Sequence, residues 1–241
     1  MLVLPRRISP DPIVDSTVEI RFDPSIDRNA VFGVIYYALR EQFPAVEPLP
    51  VTQIPEPFRE ADPFFAFRPQ YRIYNERYQV LIGYNVLTIS VLGVYPGWSD
   101  FFSTIQSVYA KVIPLGVVGQ VRRLGVRYIS FFEGDILDRL KLHLTIPGYE
   151  QIQSPVTIRI ELPSGQFINA LSLANHTTLQ QTGTNNSRVG SIIDIDTSVV
   201  TETLNFSEHA NELINGAHQS EKELFYSLLT DDFLAELNPE Y

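Results

Sequence analysis

Val14, Ser16, Val18, Ile20 and Phe22 alternate with Asp15, Thr17, Glu19 and Arg21. A period of two places successive side chains on opposite faces of a pleated strand, so this stretch predicts a strand with Val14, Val18, Ile20 and Phe22 buried and Glu19 and Arg21 on the polar face. Asp23-Pro24 closes the strand, and Asp27 is placed to cap a helix beginning near Arg28. Along that helix Val31, Ile35, Ala38, Leu39 and Gln42 fall on one side, and it ends before Pro44.

Seven prolines lie between Pro44 and Pro69, interleaved with Phe58, Phe64, Phe65 and Phe67. Proline removes a backbone donor and fixes φ, which predicts an extended connection or edge segment over 44–69, with the phenylalanines packed onto the body. Tyr71–Asn75 and Tyr78–Val94 read as strands joined by a turn at Asn75-Glu76-Arg77. Trp98–Val112 carries apolar residues at helical spacing, with Ser99 or Asp100 near its cap. Strands follow at Leu124–Phe132, Val156–Leu162, Phe167–Leu173 and Val189–Val200, with a helical turn over Asp135–Leu140 and a polar loop over Thr177–Ser187. Asn205-Phe206-Ser207-Glu208 resembles a capping box opening a long C-terminal helix, and Thr230 caps a last short one with Phe233, Leu234 and Leu237.

Strands outnumber helices, hairpins dominate, and no run of strand–helix–strand units appears. The expected class is α+β, a mainly antiparallel sheet with two packed helices and a long C-terminal helix. The expected organisation is one domain over 1–241. The order strand, helix, strands recurs, which fits two similar halves, 1–114 and 115–241, with 44–69 as a proline-rich connection.

Composition sharpens this picture only in places. The apolar fraction of 44% and charged fraction of 19% are those of a folded globular chain. No apolar run approaches the roughly 20 residues of a membrane span, and Arg6-Arg7 precede no apolar stretch of a secretory signal, so a cytoplasmic location without membrane attachment is expected. With no cysteine, disulfides and thiolate metal sites are excluded. The net charge of −10 is uneven: residues 202–241 hold nine acids against Lys222 alone, or −8. That acidity opposes general nucleic-acid binding.

Several stretches carry a resemblance. Pro12–Phe22, Gly97-Trp98, Arg123–Ile129, Ile193-Asp194-Ile195-Asp196, His218, Leu224-Phe225 and Leu229–Asp232 follow one another in the order of a sporadically distributed prokaryotic family of about this length. The chain resembles that family along nearly its whole length. Asp15-Ser16 departs from the acid–alanine pair common there. The resemblance implies a continuous domain and no particular activity.

Candidate chemistry is sparse. Asp194 and Asp196, two apart on a strand, share a face and are the one carboxylate pair spaced to hold Mg²⁺ or Ca²⁺; the bland alternative is a wet face opposite Ile193, Ile195 and Val199. Glu19, Arg21, Arg127, Arg159 and Glu161 form a candidate polar sheet face, either an ion-pair ladder or an anion pocket. The four histidines stand apart, without HExxH or GxSxG signatures, and no phosphate-binding glycine loop is present. Glu208, Glu212, Glu221 and Glu223 fall at positions of the C-terminal helix that can stay wet, giving an acidic candidate surface for a partner. No cofactor is expected. The expected function is a non-enzymatic interaction or regulatory module acting through a protein partner or a second copy, of the kind found in bacterial defence or toxin-neutralising pairs. The alternatives are a metal-assisted enzyme on Asp194 and Asp196, or a small-ligand sensor in a cleft between the halves.

Overall fold

The computed structural model describes residues 4–147, 155–180, 187–200 and 206–241. Nine strands pair into an antiparallel sheet, so the class is α+β. The strands are β1 (Ile13–Pro24), β2 (Ala45–Pro48), β3 (Tyr71–Tyr74), β4 (Tyr78–Ile82), β5 (Val86–Val91), β6 (Val118–Glu133), β7 (Thr157–Ser164), β8 (Phe167–Gln180) and β9 (Ser187–Val200). Their order across the sheet is β2-β3-β4-β5-β1-β6-β9-β8-β7. The helices are α1 (Arg28–Leu39), α2 (Glu56–Ala61), α3 (Trp98–Val112), α4 (Phe206–Leu228) and α5 (Asp231–Glu236). Among the described residues no helix is long and apolar enough to cross a membrane.

By internal packing the chain divides into two units, each built from separated stretches. One comprises Asp15–Val126 with Ser198–Gly216, the other Met1–Val14 with Arg127–Thr197 and Ala217–Tyr241. In the first, β1 pairs with β5, and Val18, Ile89, Val80 and Ile73 form one fully buried cross-strand row. Helices α1 and α3 supply Val31, Ile35 and Leu39, and Phe101, Ile105 and Val108, to the same core. Burying such side chains stabilises by about 1.5–3 kcal/mol each. Gln42 ties these elements together: its Oε1 accepts from Ser107 Oγ and Lys111 Nζ, both at 3.1 Å, and its carbonyl accepts from Asn75.

The second unit packs Leu171, Leu173, Ile193 and Ile195 against Phe225, Leu229 and Phe233. A buried polar network crosses it: Thr197 Oγ1 donates to Asn169 Oδ1 at 2.5 Å, and Asn169 Nδ2 donates to Ser220 Oγ at 3.1 Å. Thr197, Asn169 and Ser220 thus partner one another, as burial of their polar groups requires.

The sequence expectations hold for most elements and shift in identifiable places. Ser16, Val18, Ile20 and Phe22 are buried as alternation requires, but Val14 is 38% exposed at the strand's start. The run from Tyr78 to Val94 is two strands, because the chain turns at Gly83, where a Cβ would sit 2.7 Å from Val86 Cγ1 and 3.1 Å from the Arg68 carbonyl oxygen. β6 begins at Val118 rather than Leu124. The polar stretch from Thr177 to Gln180 continues β8, since ladder pairing does not demand apolar side chains. α3 is capped by Gly97 at φ 94°, not by Ser99 or Asp100. Asp27 and Thr230 cap α1 and α5 as expected. The expected capping residue Asn205 lies outside the described residues.

The connection over 44–69 contributes β2, which is an edge strand as its prolines demand, and then α2 flanked by two 3₁₀ turns. Its phenylalanines depart from expectation. Phe58 is 68% and Phe64 63% exposed, and Phe67 is exposed as well, so only Phe65 is substantially covered.

Two glycines test this packing in opposite directions. A Cβ on Gly190 would be driven into the carbonyl oxygen of Phe132, whereas one on Gly33, exposed on α1, would meet nothing within 4 Å. Gly190→Ala is expected to destabilise the chain by about 1–3 kcal/mol, and Gly33→Ala to stabilise it by roughly 0.5–1 kcal/mol. Urea denaturation of both variants checks the pair.

Candidate functional site

The polar residues of β1 do not stay free. Arg21 Nε donates to Glu19 Oε1 at 2.8 Å, and Arg123 Nη1 approaches the same oxygen at 3.4 Å. Thr88, opposite Glu19 on β5, donates to its Oε2 at 3.4 Å. Gly125 makes this arrangement feasible, since a Cβ there would strike the Arg123 guanidinium. Arg21 also stacks over the Phe67 ring, 4.7 Å from its centroid. Farther along, Arg72 pairs with Glu47 on the neighbouring strand at 2.9 Å.

Arg127 joins a different partner. Its Nε and Nη2 donate to Asp194 Oδ1 and Oδ2 at 2.8 and 2.7 Å, the bidentate fork of guanidinium on carboxylate. A guanidinium cation thus engages both oxygens of Asp194, the carboxylate that the sequence offers for a metal with Asp196. Asp194 and Asp196 do share the face opposite Ile193 and Ile195. Among the described residues, no group of three histidine, aspartate or glutamate side chains is gathered to hold an ion. Arg159 and Glu161 lie exposed on β7, 3.9 Å apart, and belong to neither cluster. The five predicted face residues are found in ion pairs: Glu19 with Arg21, Arg127 with Asp194, and Arg159 beside Glu161. Arg123 is a further member of this face; its four-residue spacing from Arg127, an even number along one strand, is the signal available in the sequence.

The acidic helix is also only partly as expected. Glu208, Glu212 and Glu223 are exposed on α4, with Glu212 3.5 Å from His209 and Glu223 accepting from Gln219 at 2.8 Å. Glu221 is not: it is 6% exposed, because it falls on the side of α4 that carries Ala217, Phe225 and Leu228. Burial pushes its carboxyl up to about 8, against a smaller opposing pull from Lys222. One turn before it, His218 lies against the Tyr128 ring at 5.6 Å, and burial, aided by Lys222, drives its imidazole down to about 3. Tyr226 is pushed up to about 12, first by burial and then by the charges of Asp11 and Glu221, and burial also raises Asp11. Helical spacing carries the signal for its burial, since Glu221 is four residues from both Ala217 and Phe225 and seven from Leu228, although an acid on a helix ordinarily reads as solvated.

Two further arginines lie around α2. Arg28, at the start of α1, is held by both Glu56 and Glu60, one helical turn apart. Arg59 and Arg68 have no carboxylate partner among the described residues, and Arg68 rests on the Phe64 ring at 4.3 Å. Phe64 in turn meets Phe65 edge-on at 5.1 Å. Exposed aromatics beside unpaired arginines are the side chains enriched at protein interfaces.

Neither models of known protein families nor curated proteins match the chain.

The buried Glu221 and His218 give the stability a defined pH dependence. A carboxyl whose pKa is raised on folding favours the folded state most below its ordinary value of 4.5, and that advantage is lost as pH rises toward about 8. A histidine lowered on folding acts oppositely, costing stability as pH falls from 6.5 toward about 3. The two slopes oppose each other between 4.5 and 6.5, and Glu221 alone acts from 6.5 to 8. Glu221→Gln is therefore expected to match the wild type near pH 4 and to gain on it toward pH 8, by up to about 1.4 kcal/mol per pH unit. Chemical denaturation across that range measures the difference directly.

Proposed function

We propose that the chain is a binding module that engages a protein partner through the segment 55–68, with the exposed acids of α4 steering the encounter. The observation that carries this reading is the pair Phe58 and Phe64, each about two-thirds accessible in a segment fixed at both ends. On one side, Arg28 clamps α2 through Glu56 and Glu60; on the other, Asn85 Nδ2 donates to the Ala66 carbonyl at 2.8 Å, and the Gln70 N–H donates to Ile82. Exposed phenylalanines on an anchored segment lose little conformational freedom on binding, which favours affinity. Aromatic anchors of this kind dominate interface energetics.

The charged sheet face supports the reading by contrast. Glu19 is engaged with Arg21 and Arg123, and Arg127 with Asp194, and opening those pairs for a ligand would cost their hydrogen bonds. Exposed Glu208, Glu212 and Glu223 remain available for long-range attraction, which acts on association rate and fades with salt.

The test measures self-association by sedimentation velocity and binding of the proteins encoded beside this chain by titration. Phe58→Ser with Phe64→Ser is expected to weaken the interaction by about tenfold or more while leaving thermal unfolding nearly unchanged. Glu208, Glu212 and Glu223 changed together to Gln should slow association at low salt and matter little at high salt. An affinity indifferent to both phenylalanine changes would place the partner surface elsewhere.

A further inference from the structure

A cavity of about 200 Å³ opens between the first turn of α1, α2 and the turn joining β4 to β5. That volume equals about seven waters at their liquid share of space, so it suits a small molecule rather than a nucleotide or peptide. Five charged side chains line it, Arg28, Arg59 and Arg68 with Glu56 and Glu60. Both carboxylates are committed to Arg28, which leaves Arg59 and Arg68 without a counter-charge among the described residues.

Arg59 carries the decisive feature. Its Nε is buried and donates to nothing. A buried donor without an acceptor costs about 1–3 kcal/mol, and an oxyanion placed in the cavity would supply the guanidinium that lines it with the missing counter-charge. Guanidinium groups hold carboxylate and phosphate in the same forked geometry. Part of the lining is aromatic: Phe32 and Tyr71 both line the cavity and stack on each other at 3.9 Å. A flat ring fits against such a wall.

We propose that this cavity binds a small aromatic oxyanion, its carboxylate or phosphate on Arg59 and Arg68 and its ring against Phe32 and Tyr71. The site is distinct from the outward-facing Phe58 surface, so a ligand here acts beneath the partner-binding segment and is read out without any partner.

The probes are phenyl phosphate and benzoate, with uncharged benzyl alcohol as the control, titrated calorimetrically into the full chain. At least one anion is expected to bind with a Kd on the order of 1 mM or tighter, and benzyl alcohol much more weakly. The stronger anion identifies the oxyanion the site prefers. Arg59→Gln with Arg68→Gln should weaken binding about tenfold or more. Thermal unfolding of the arginine variant, expected to match the wild type, separates loss of the site from loss of the fold. Phe58→Ser should leave anion binding unchanged, which separates this site from the partner surface. Anions that bind no better than benzyl alcohol would overturn the proposal, as would arginine variants that fold normally and bind with undiminished affinity.

Discussion

A pleated strand buries only every second residue, and the rest of this molecule follows from how β1 satisfies that constraint. Its inward row of Ser16, Val18, Ile20 and Phe22 is sealed from water. The same pleat forces Glu19 and Arg21 together onto the other face, where charges on a partly covered surface demand partners. They find them in each other, in Arg123 and in Thr88. The Arg127–Asp194 fork repeats that solution between β6 and β9. Polar residues that look like a site in sequence are thus the consequence of burying the row behind them.

The parts of the fold legible in the sequence are those where one local rule dominates. β1, α1, α3 and α5 follow from strict periodicity and from caps at Asp27 and Thr230. Failures occur where tertiary contacts decide. Gly83 breaks one apolar run into β4 and β5 because the backbone of Arg68-Pro69 passes against it. Thr177–Gln180 joins β8 through backbone pairing that side-chain pattern does not encode. The candidate site shows the same division. That Asp194 would face away from Ile193 and Ile195 was readable from alternation, but its capture by Arg127 depends on which strands are neighbours. Glu221 is the converse case: its acid chemistry reads as wet, while its four-residue spacing from Ala217 and Phe225 puts it on the buried side of α4.

The segment over 44–69 inverts the usual relation between composition and burial. Its prolines and the short α2 fix the backbone, yet they leave Phe58 and Phe64 outside, while the arginines beside them stay without carboxylate partners. In β1 and β6, by contrast, arginine is matched to acid at hydrogen-bonding distance. The charged chemistry thus differs between the sheet face, where arginines are paired with acids, and the neighbourhood of α2, where Arg59 and Arg68 lack a carboxylate partner beside the paired Arg28.

That separation stands or falls on whether the sheet-face pairs are committed to one another. The most direct measurement is a double-mutant cycle on Arg127 and Asp194, using Arg127→Met, Asp194→Leu and the combined variant, read by chemical denaturation. The account predicts a favourable coupling of about 0.5–1 kcal/mol, as expected for a bidentate pair at a half-exposed position. Strictly additive effects, with no coupling, would mean that these charges do not hold the sheet and that its polar face is free to serve as a site.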